Sequence, residues 1–586
     1  MDGSKTYISE ITQIPLNSSY NEDPIENRRA VSLRQINRIE KKNGRNRTTL
    51  LGRAAIYFNK KEYKKSLYYF QKSMEMEYSN EALAAVLKIK KKLKDLESVL
   101  PFLEKIEKDQ STNSLFLEFF AFTLYELEKF EEAAEKLVIA SQYGDQSEMI
   151  RQLHIKSLRR AEKFEELLEV STNYIANGFL EETIVEGLIK ACVTLHKNEL
   201  AYEFLETTTF DWQKYGRITA YASIIYYSLN GDIEKSTELG EKAIQLEPDN
   251  VQIRWNLALS QLRKGDFKQG SENYKIRWDW EDFPSPRRTF TKPKWNEYVP
   301  KDSKIMIWTE QGIGDELLFA SALNEFQKLY PNLIYECHGK TLDLFEHSFP
   351  LIKSRFARMN EDQSALIEDF DYQIPIGDVF LWFLQNNLEK IESGGSALTK
   401  GYLKTDPLRR DYWSRRLRSP NKKPKIGFSW TSSVVDENRK QEHTNLTIWK
   451  DLLMRQDAEF VCLQYNFDHE ELRKSFDIPE SLFFDTGYLD QWNDLEGSAA
   501  LISNLDLVIT SGASPYILAG GLGIETWVYS KRSPFVFGRT KPFCDHPVLS
   551  NIKFYHSEHP LEDKNLAPNF QKKLDQFVQN FRENTQ

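Results

Sequence analysis

The chain has 586 residues, 40% of them hydrophobic and 28% charged, a balance that supplies material for several cores and excludes global disorder. Its 78 basic and 87 acidic residues give a net charge of −9, which argues against sequence-independent nucleic-acid binding because that activity needs a positive surface. The four cysteines form no CxxC pair and no zinc-site spacing, which disfavours a disulfide framework or a structural zinc.

The sequence predicts neither a secretory signal nor a membrane span. No apolar run follows the N-terminus. The longest apolar stretch, residues 115–125, contains Glu118 and is too short to cross a bilayer. Together with the few cysteines, these features lead us to expect a cytoplasmic protein.

Residues 1–46 form the first predicted segment, a tail without periodicity until about Val31. Basic side chains outnumber acidic ones between residues 26 and 47. A charge run of this kind is more often a solvated face than a nucleic-acid contact, so we expect the tail to lead into a helix.

Residues 47–284, which we call the repeat region, repeat an apolar helix, a short polar turn and a second amphipathic helix every 33 to 35 residues. Small residues such as Ala133 and Gly270 stand where two helices must approach closely, and Phe130 and Phe267 fill the facing position. A fixed period of this length predicts a stack of helical hairpins. The seven units begin at Arg47, Glu81, Ser114, Glu148, Glu182, Arg217 and Val251.

The pattern over 217–284 resembles the tetratricopeptide repeat (TPR), so we predict a TPR solenoid. Such an array either spaces other domains apart or offers a concave surface to a peptide. Several tyrosines either line that surface or pack within the array, and packing is the commoner role for aromatic residues at helical spacing. They are Tyr68, Tyr69, Tyr221, Tyr226 and Tyr227.

The pattern changes after Trp280. Four prolines between residues 284 and 300 mark a linker, placed at 285–302. Short apolar runs then alternate with helical patterns in two sets, which we call the N lobe (303–410) and the C lobe (420–586). The predicted strands are 304–308, 333–337 and 371–375 in the N lobe, and 425–430, 459–464, 505–510 and 526–529 in the C lobe.

Strands that alternate with helices form parallel sheets with right-handed crossovers. The predicted fold class is therefore α + α/β, an N-terminal TPR α-solenoid followed by two Rossmann-like domains that face a cleft. Ligands of such domains bind outside the carboxyl ends of the strands.

The first turn, Glu310 to Asp315, follows a buried strand. Gly312 and Gly314 allow positive φ and close approach of a ligand, and Gln311 is counted with them as a binding candidate. Asp315 either caps the following helix or takes a proton from an acceptor hydroxyl or amide. The two roles are compatible, although a helix N-terminus favours the ionised carboxylate and weakens it as a base.

The second turn, Thr510 to Pro515, follows another strand. Ser514 is the expected N-cap and Pro515 the first helical residue. Free amides at Gly512 and Ala513, with the Ser511 hydroxyl, make a site suited to a diphosphate. The alternative is a capped helix without a ligand.

Further candidates follow the other strands of the C lobe. Trp430 ends one strand, and the hydroxyl groups of Ser432 and Ser433 after it are able to donate hydrogen bonds to phosphate. Arg439 either neutralises the phosphate charge or belongs to a solvated charge run, which is the commoner case. Gln464 ends the next strand and is a candidate contact for a base or ribose.

The DxD pattern at Asp369 and Asp371 precedes a strand instead of lying in a phosphate-binding context. We therefore predict no metal site there.

Five segments in this order resemble the TPR-containing glycosyltransferases. Their catalytic half is related to the ADP-heptose:lipopolysaccharide heptosyltransferases and has the GT-B fold, and some bacterial members glycosylate flagellin. The resemblance covers about residues 300–560, in addition to the TPR match over 47–284. The segments are Glu310–Ala320, Phe370–Pro375, Gly427–Trp430, Phe460–Tyr465 and Leu518–Gly523.

The resemblance implies inverting sugar transfer from a nucleotide-sugar, without a metal ion or other cofactor. Asp315 falls on the aspartate proposed as the base in heptosyltransferases. The stretch from Ser511 to Ser514 falls on the donor-phosphate turn, and Ser432 and Ser433 fall on the other phosphate-contacting loop. The implied partners are the nucleotide-sugar and a protein acceptor held by the TPR half, with no nucleic acid.

The sequence departs from the heptosyltransferase pattern at the second turn. An Asp-Thr pair and a histidine are replaced by Gly512, Ala513 and Ile517, and Thr431 stands where a basic residue is frequent. A heptose donor is therefore in doubt, and a non-catalytic TPR scaffold remains an alternative. Transfer to a glycan or a lipid-linked acceptor is a third possibility.

Overall fold

A computed structural model describes residues 33–144, 147–281, 283–357, 367–417, 423–431, 449, 452–465, 470, 473–474, 477–479, 483–484, 486–530, 536–538, 544–556 and 566–585. The chain forms two compact units, unit 1 (Met1–Leu195) and unit 2 (His196–Gln586). No helix in the described ranges is long and apolar enough to cross a membrane.

Unit 1 consists of helices throughout its described residues. From Arg47 onward every second helix begins within one residue of a predicted repeat start, and three of the resulting pairs pack as helical hairpins. In chain order they are α1 (Leu33–Asn43), α2 (Arg47–Asn59), α3 (Tyr63–Met76), α4 (Asn80–Lys92), α5 (Leu100–Gln110), α6 (Ser114–Glu126), α7 (Phe130–Tyr143), α8 (Glu148–Arg160), α9 (Phe164–Ala176) and α10 (Glu182–Thr194).

Local sequence explains where these hairpins turn. The side chains of Asn46 and Ser79 accept hydrogen bonds from N–H groups three residues on, which cap α2 and α4. Lys61 and Glu128 lie at equivalent positions in the turns of two repeats, with φ values of 59° and 61°. The same left-handed step therefore recurs although no glycine occupies it.

Unit 2 begins with five more helices of the same kind. Gly231 and Gly265 end two of them with φ values of 66° and 92°, where glycine carries no steric cost. A short 3-10 helix, Lys275–Asp279, follows the last. The helices are α11 (Asn198–Thr207), α12 (Gly216–Asn230), α13 (Ile233–Leu246), α14 (Val251–Lys264) and α15 (Phe267–Tyr274).

The tyrosines of the repeats divide between packing and exposure. Tyr69 stacks on Tyr57, and Tyr226 contacts Tyr202 edge to face, with ring centroids 5.5 and 5.3 Å apart. Tyr68 is 53% exposed. Packing within the array thus accounts for part of this set, in keeping with the commoner role of such residues.

The segment predicted as a linker is fastened to the N lobe. The Trp295 N–H donates to the Gln373 carbonyl at 2.8 Å, and the Gln373 N–H donates to the Pro293 carbonyl at 3.1 Å. The Trp295 ring also packs against Phe326 and Tyr330. Prolines suit this position because the segment lies at a sheet edge, where they lose few ladder hydrogen bonds.

The N lobe has a parallel sheet in the order β3-β2-β1-β4. Strands β1 and β2 are buried along their whole length, as expected for a sheet covered on both faces. The elements are β1 (Ile305–Trp308), α16 (Ile313–Ala320), α17 (Leu323–Leu329), β2 (Leu333–Cys337), α18 (Leu342–Ser348), β3 (Lys353–Phe356), β4 (Tyr372–Pro375), α19 (Ile376–Asn386), α20 (Leu388–Glu392) and α21 (Pro407–Arg416).

The C lobe has a second parallel sheet in the order β7-β6-β5-β8-β9-β10. Its strand order is that of a doubly wound nucleotide-binding sheet, in which the order of the strands reverses between β5 and β8. The described elements are β5 (Lys425–Ser429), β6 (Glu459–Cys462), β7 (Phe483–Phe484), α22 (Leu495–Ile502), β8 (Leu507–Thr510), α23 (Pro515–Gly521), β9 (Thr526–Tyr529), β10 (Ile552–Tyr555) and α24 (Leu566–Thr585).

The predicted fold class is confirmed: a TPR-type helical repeat region is followed by two Rossmann-like lobes, the arrangement called GT-B. All seven predicted strands lie within two residues of observed ones. The helical pattern that follows β1 forms two helices, α16 and α17, because the chain turns at Ser321 and Ala322. Strands β3, β7 and β10 were not predicted.

Candidate functional site

The first turn is bent by an uncommon backbone conformation. Gln311 has a φ of 61°, which costs energy for a residue other than glycine and must be stabilised by its surroundings. Its N–H donates to the Ser285 hydroxyl at 2.5 Å, and its side-chain amide donates to the Tyr274 hydroxyl at 2.7 Å. The Gln311 amide is therefore engaged with the end of the repeat region.

The first residue of this turn, Glu310, belongs to a buried group of charges. Glu310 and Arg277 are both fully buried and form a two-bond pair at 2.7 and 2.8 Å. Glu310 also accepts the Gly377 N–H at 2.8 Å, and Arg277 donates to Asp378 at 2.7 Å. Burial opposes ionisation of Asp378, but Arg277 and Lys294 outweigh it and hold the pKa of that carboxyl below its usual range.

Asp315 lies in the first turn of α16 and is half-buried. Its Oδ2 accepts a long hydrogen bond of 3.4 Å from the Gly312 N–H, so it caps the helix from inside, as the sequence suggested. A carboxylate that is still partly exposed at the carboxyl end of a central strand is also placed to meet a substrate.

The second turn differs from expectation at one residue. Pro515 is the first residue of α23, as predicted, but Ser514 has helical angles (φ −46°, ψ −30°) and makes no side-chain capping bond. The predicted cap is wrong because a capping side chain needs an extended backbone to reach back to the first N–H groups. Ser511 is fully buried, and its hydroxyl has no hydrogen-bond partner within the described chain.

The two turns meet although they come from different lobes. A Cβ added to Gly314 would lie 3.6 Å from the Cβ of Ser514, which is ordinary van der Waals contact. The first turn follows β1 and the second follows β8, and each leaves its sheet where the strand order reverses. Both predicted turns therefore lie at the ligand-binding edges of their sheets.

A pocket of about 480 Å³, counting the space open to solvent, opens beside this contact. Its wall is mostly apolar, with a serine from each of two C-lobe helix segments and two aromatic side chains, which is a common composition for ligand pockets. The lining residues are Ile313, Leu463, Tyr465, Gln491, Trp492, Leu495, Ser498, Ile502, Ser514, Pro515 and Leu518.

A cation from the N lobe contacts one of the aromatic side chains that line this pocket. The Lys340 ammonium lies 3.8 Å from the centre of the Trp492 ring, and Trp492 contacts Tyr465 with ring centroids 5.0 Å apart. Partial burial lowers the pKa of Lys340, against the opposing attraction of Asp490. The cation–π contact joins the two lobes on the pocket side.

Two predicted binding residues of the C lobe have structural roles. The Gln464 side-chain oxygen accepts the N–H groups of Trp430 and Thr431 at 3.2 and 3.1 Å, and Gln464 is 2% exposed. The Trp430 ring stacks on Phe428 in the core that also contains α24. Gln464 thus fixes the end of β5, while its neighbour Tyr465 lines the pocket.

Three other predicted residues, Ser432, Ser433 and Arg439, lie outside the described residues. The DxD pair is occupied by ion pairs and backbone bonds: Asp369 pairs with Arg355 at 2.7 Å, and Asp371 accepts the Lys304 N–H at 2.9 Å. Within the ranges given above, no group of three or more His, Cys, Asp or Glu side chains is arranged to hold a metal ion.

Sequence reasoning missed residues that come from the edges of the predicted domains. Tyr274 and Arg277 were assigned to the repeats, and Ser285 to the linker, although all three contact the first turn or Glu310. The available signal was the dense aromatic cluster around Arg277, with Trp278 and Trp280 beside it. Such density predicts burial, and an arginine buried in it needs a carboxylate.

No family model matches the chain. The curated protein FlbA of Caulobacter vibrioides is 27% identical over 313 residues, which are 51% of this chain and 52% of FlbA. The chain thus spans about half the length of the curated relative it matches.

Two solved structures are each similar to part of the chain. A glycosyl transferase family 9 structure from Veillonella parvula shares 13% identity over 46% of this chain and 92% of its own, with a TM-score of 0.34. YrrB, a TPR protein with an unusual peptide-binding site, shares 12% identity over 30% of this chain and 91% of its own, with a TM-score of 0.25.

Proposed function

We propose that this protein is a glycosyltransferase that moves a sugar from a nucleotide-sugar donor to a protein acceptor, with the repeat region holding the acceptor. The supporting observation is the meeting of the two turns at Gly314 and Ser514. This contact brings Asp315 of one lobe to the predicted phosphate turn of the other. A transferase of this fold needs that pairing, because base and leaving group must flank one sugar.

Each step of the reaction has a candidate residue. The Asp315 carboxylate takes the proton of the acceptor hydroxyl or amide as that atom bonds to the anomeric carbon. The bond from that carbon to the donor phosphate breaks, and the backbone N–H groups of Gly512 and Ser514 hold the departing diphosphate. The Ala513 N–H, which the sequence suggested as a third donor, is not free, because it donates to the Ser511 carbonyl at 2.7 Å. Attack opposite the leaving group inverts the anomeric centre. Because these groups perform every step, the proposed reaction needs no metal ion or other cofactor.

The acceptor is proposed to be a protein of the flagellin kind, and the reaction to take place in the cytoplasm. Support comes from the hairpin array, because stacked helical repeats create extended surfaces suited to polypeptides. None of the four cysteines, which all lie in the described ranges, forms a disulfide.

The first experiment identifies the donor. Wild-type protein is screened by thermal shift against a panel of nucleotide-sugars, and at least one is expected to raise the melting temperature, because a ligand that binds only the folded state stabilises it. If none does, the enzyme proposal loses its basis, and the non-catalytic scaffold replaces it.

The second experiment tests the proposed base. Asp315→Asn is expected to lower the transfer rate by about 10² to 10⁴-fold, because removal of a general base costs that much, while the donor dissociation constant changes little. Asp343→Asn is the matched control, since Asp343 is an exposed aspartate in the first turn of the N-lobe helix α18. Full activity of Asp315→Asn would remove Asp315 from the mechanism.

A further inference from the structure

We propose that Arg277 is a positioning residue that couples the last repeat to the turn carrying Asp315, an inference that rests on the function proposed above. Arg277 lies in the 3-10 helix that directly follows α15. Its side chain is fully buried, and so is that of its partner Glu310. The pair therefore joins the end of the repeat region to the first turn without access to water.

The hydrogen bonds of Arg277 have fixed directions. Its Nε and Nη2 donate to the two oxygens of Glu310, and Nη2 also donates to Asp378 Oδ1, all at 2.7 to 2.8 Å. Lys294 pairs with the other oxygen of Asp378 at 2.5 Å. Two cations and two carboxylates thus balance, and the planar guanidinium fixes the angle between the carboxylates in a way that an ammonium group cannot.

This charge group acts on the backbone of the turn. Glu310 is covalently joined to Gln311, the residue with a φ of 61°. The Glu310 carboxylate is fixed from a second side by the Gly377 N–H, and a Cβ added to Gly377 would lie 2.2 Å from the carboxylate. With Glu310 held, the left-handed step at Gln311 is set, and that step aims the start of α16 at the second turn.

Other contacts from the same region hold the next residue. Gln311 is bonded through its N–H to Ser285 and through its amide to Tyr274. Tyr274 is the last residue of α15, and Ser285 follows the 3-10 helix. The side chains that hold Glu310 and Gln311 are those of Arg277, Tyr274 and Ser285, and all three precede the N-lobe sheet in the chain. The orientation of Asp315 is therefore set largely by the end of the repeat region.

The test compares Arg277→Lys with Lys275→Gln in the full-length chain. Lys275 lies two residues away in the same 3-10 helix, but it is exposed and pairs only with Glu272 among the ion pairs described. Lysine keeps the positive charge of Arg277 but lacks the planar guanidinium that forms two hydrogen bonds with Glu310. The expected result is a fall in kcat of at least about tenfold, because small misplacement of a reacting group is costly, with the donor dissociation constant within about twofold of wild type.

A second measurement does not depend on catalysis. Hydrogen–deuterium exchange is followed at backbone amides 310–314 and, for comparison, at 507–514 of the C lobe. We expect faster exchange in Arg277→Lys at the first turn alone, and no change in Lys275→Gln. An increase spread evenly over both lobes would indicate general destabilisation and would overturn the positioning role, as would unchanged exchange or unchanged kcat.

If Arg277→Lys does not fold, a less disruptive variant replaces it. Asp378→Asn keeps the two-bond pair between Arg277 and Glu310 and removes one buried charge. It is expected to show the same localised exchange with a smaller loss of kcat. If wild-type protein binds no nucleotide-sugar, the proposed function fails, whereas the exchange experiment still decides whether Arg277 positions the turn.

Discussion

Two ionisable side chains buried in unit 1 respond to pH in opposite directions. Glu118 is 3% exposed, its Oε1 has no partner in the described part of the chain, and burial raises its pKa to about 7. His154 is also 3% exposed, its Nδ1 lies 3.1 Å from the Tyr174 hydroxyl, and burial lowers its pKa to about 4. Both groups are therefore more stable in the neutral form.

The sign of each contribution follows from proton linkage. The folded chain holds the Glu118 proton more tightly than the unfolded chain, whose glutamate has a pKa near 4.5, so folding stability falls as pH rises from about 4.5 to 7. For His154 the unfolded chain binds the proton more tightly, so stability falls as pH drops from about 6.5 to 4. The two contributions therefore largely cancel between about pH 4.5 and 6.5, and their sum falls above and below that range.

Glu118→Gln tests the first contribution. The amide has nearly the same shape and no charge, so the variant should be more stable than wild type at pH 8, by roughly 1 to 3 kcal/mol. The advantage should shrink at pH 5, where Glu118 is protonated in the fold. Urea unfolding at the two pH values measures it, with Glu104→Gln as the exposed control. Equal differences at both pH values would contradict the prediction.

At the scale of elements, the turns that begin α16 and α23 approach each other at Gly314 and Ser514. Gly314→Ala should be tolerated, because the added Cβ would make only ordinary contact with Ser514 at 3.6 Å. Gly314→Leu should push the turns apart and lower kcat by at least about tenfold, since reacting groups tolerate little displacement. Transfer kinetics and melting temperatures of both variants test this. An active, stable leucine variant would show that the contact is dispensable.

Sequence patterns predicted the central elements well and the edges poorly. Strands β1, β2 and β8 are buried, so each is a continuous apolar run that stands out in the sequence. Strand β3, Lys353 to Phe356, lies at the sheet edge with exposed ends and mixed composition. Period alone does not distinguish such a segment from a loop, because its pairing is set by the neighbouring strand.

The residues of the candidate site also divide into those that the sequence predicted and those that it did not. Asp315 and the second turn were predicted because they follow buried strands directly. Arg277 and Tyr274 were not, because they precede the turn by more than 30 residues and their contacts depend on how the last repeat packs. Lys340 and Trp492, which join the two lobes, were missed for the same reason. Contacts between elements distant in sequence require the three-dimensional arrangement.

For the molecule as a whole, the end of the repeat region and the N lobe share one apolar core. Trp255, Phe267 and Tyr274 belong to the same cluster as Phe319 of α16 and Phe380 of α19. The predicted boundary at 284 therefore marks where the helical repeat pattern of the sequence ends, whereas the compact unit begins at His196. A solenoid that ends in a shared core is stabilised there as a polar capping helix would otherwise stabilise it.

Truncation distinguishes these two boundaries. A fragment of residues 196–586 should fold cooperatively, because it retains the shared core and the Arg277–Glu310 pair. A fragment of residues 303–586 should aggregate or melt without cooperativity, since Glu310 would lose its buried partner at a cost of roughly 3 to 5 kcal/mol and the surface that packs against Phe267 and Tyr274 would be exposed. Circular dichroism melting and light scattering measure both properties. A well-folded 303–586 fragment would show that the repeats contribute nothing to the stability of the N lobe. Donor binding to the 196–586 fragment would locate the donor site within unit 2.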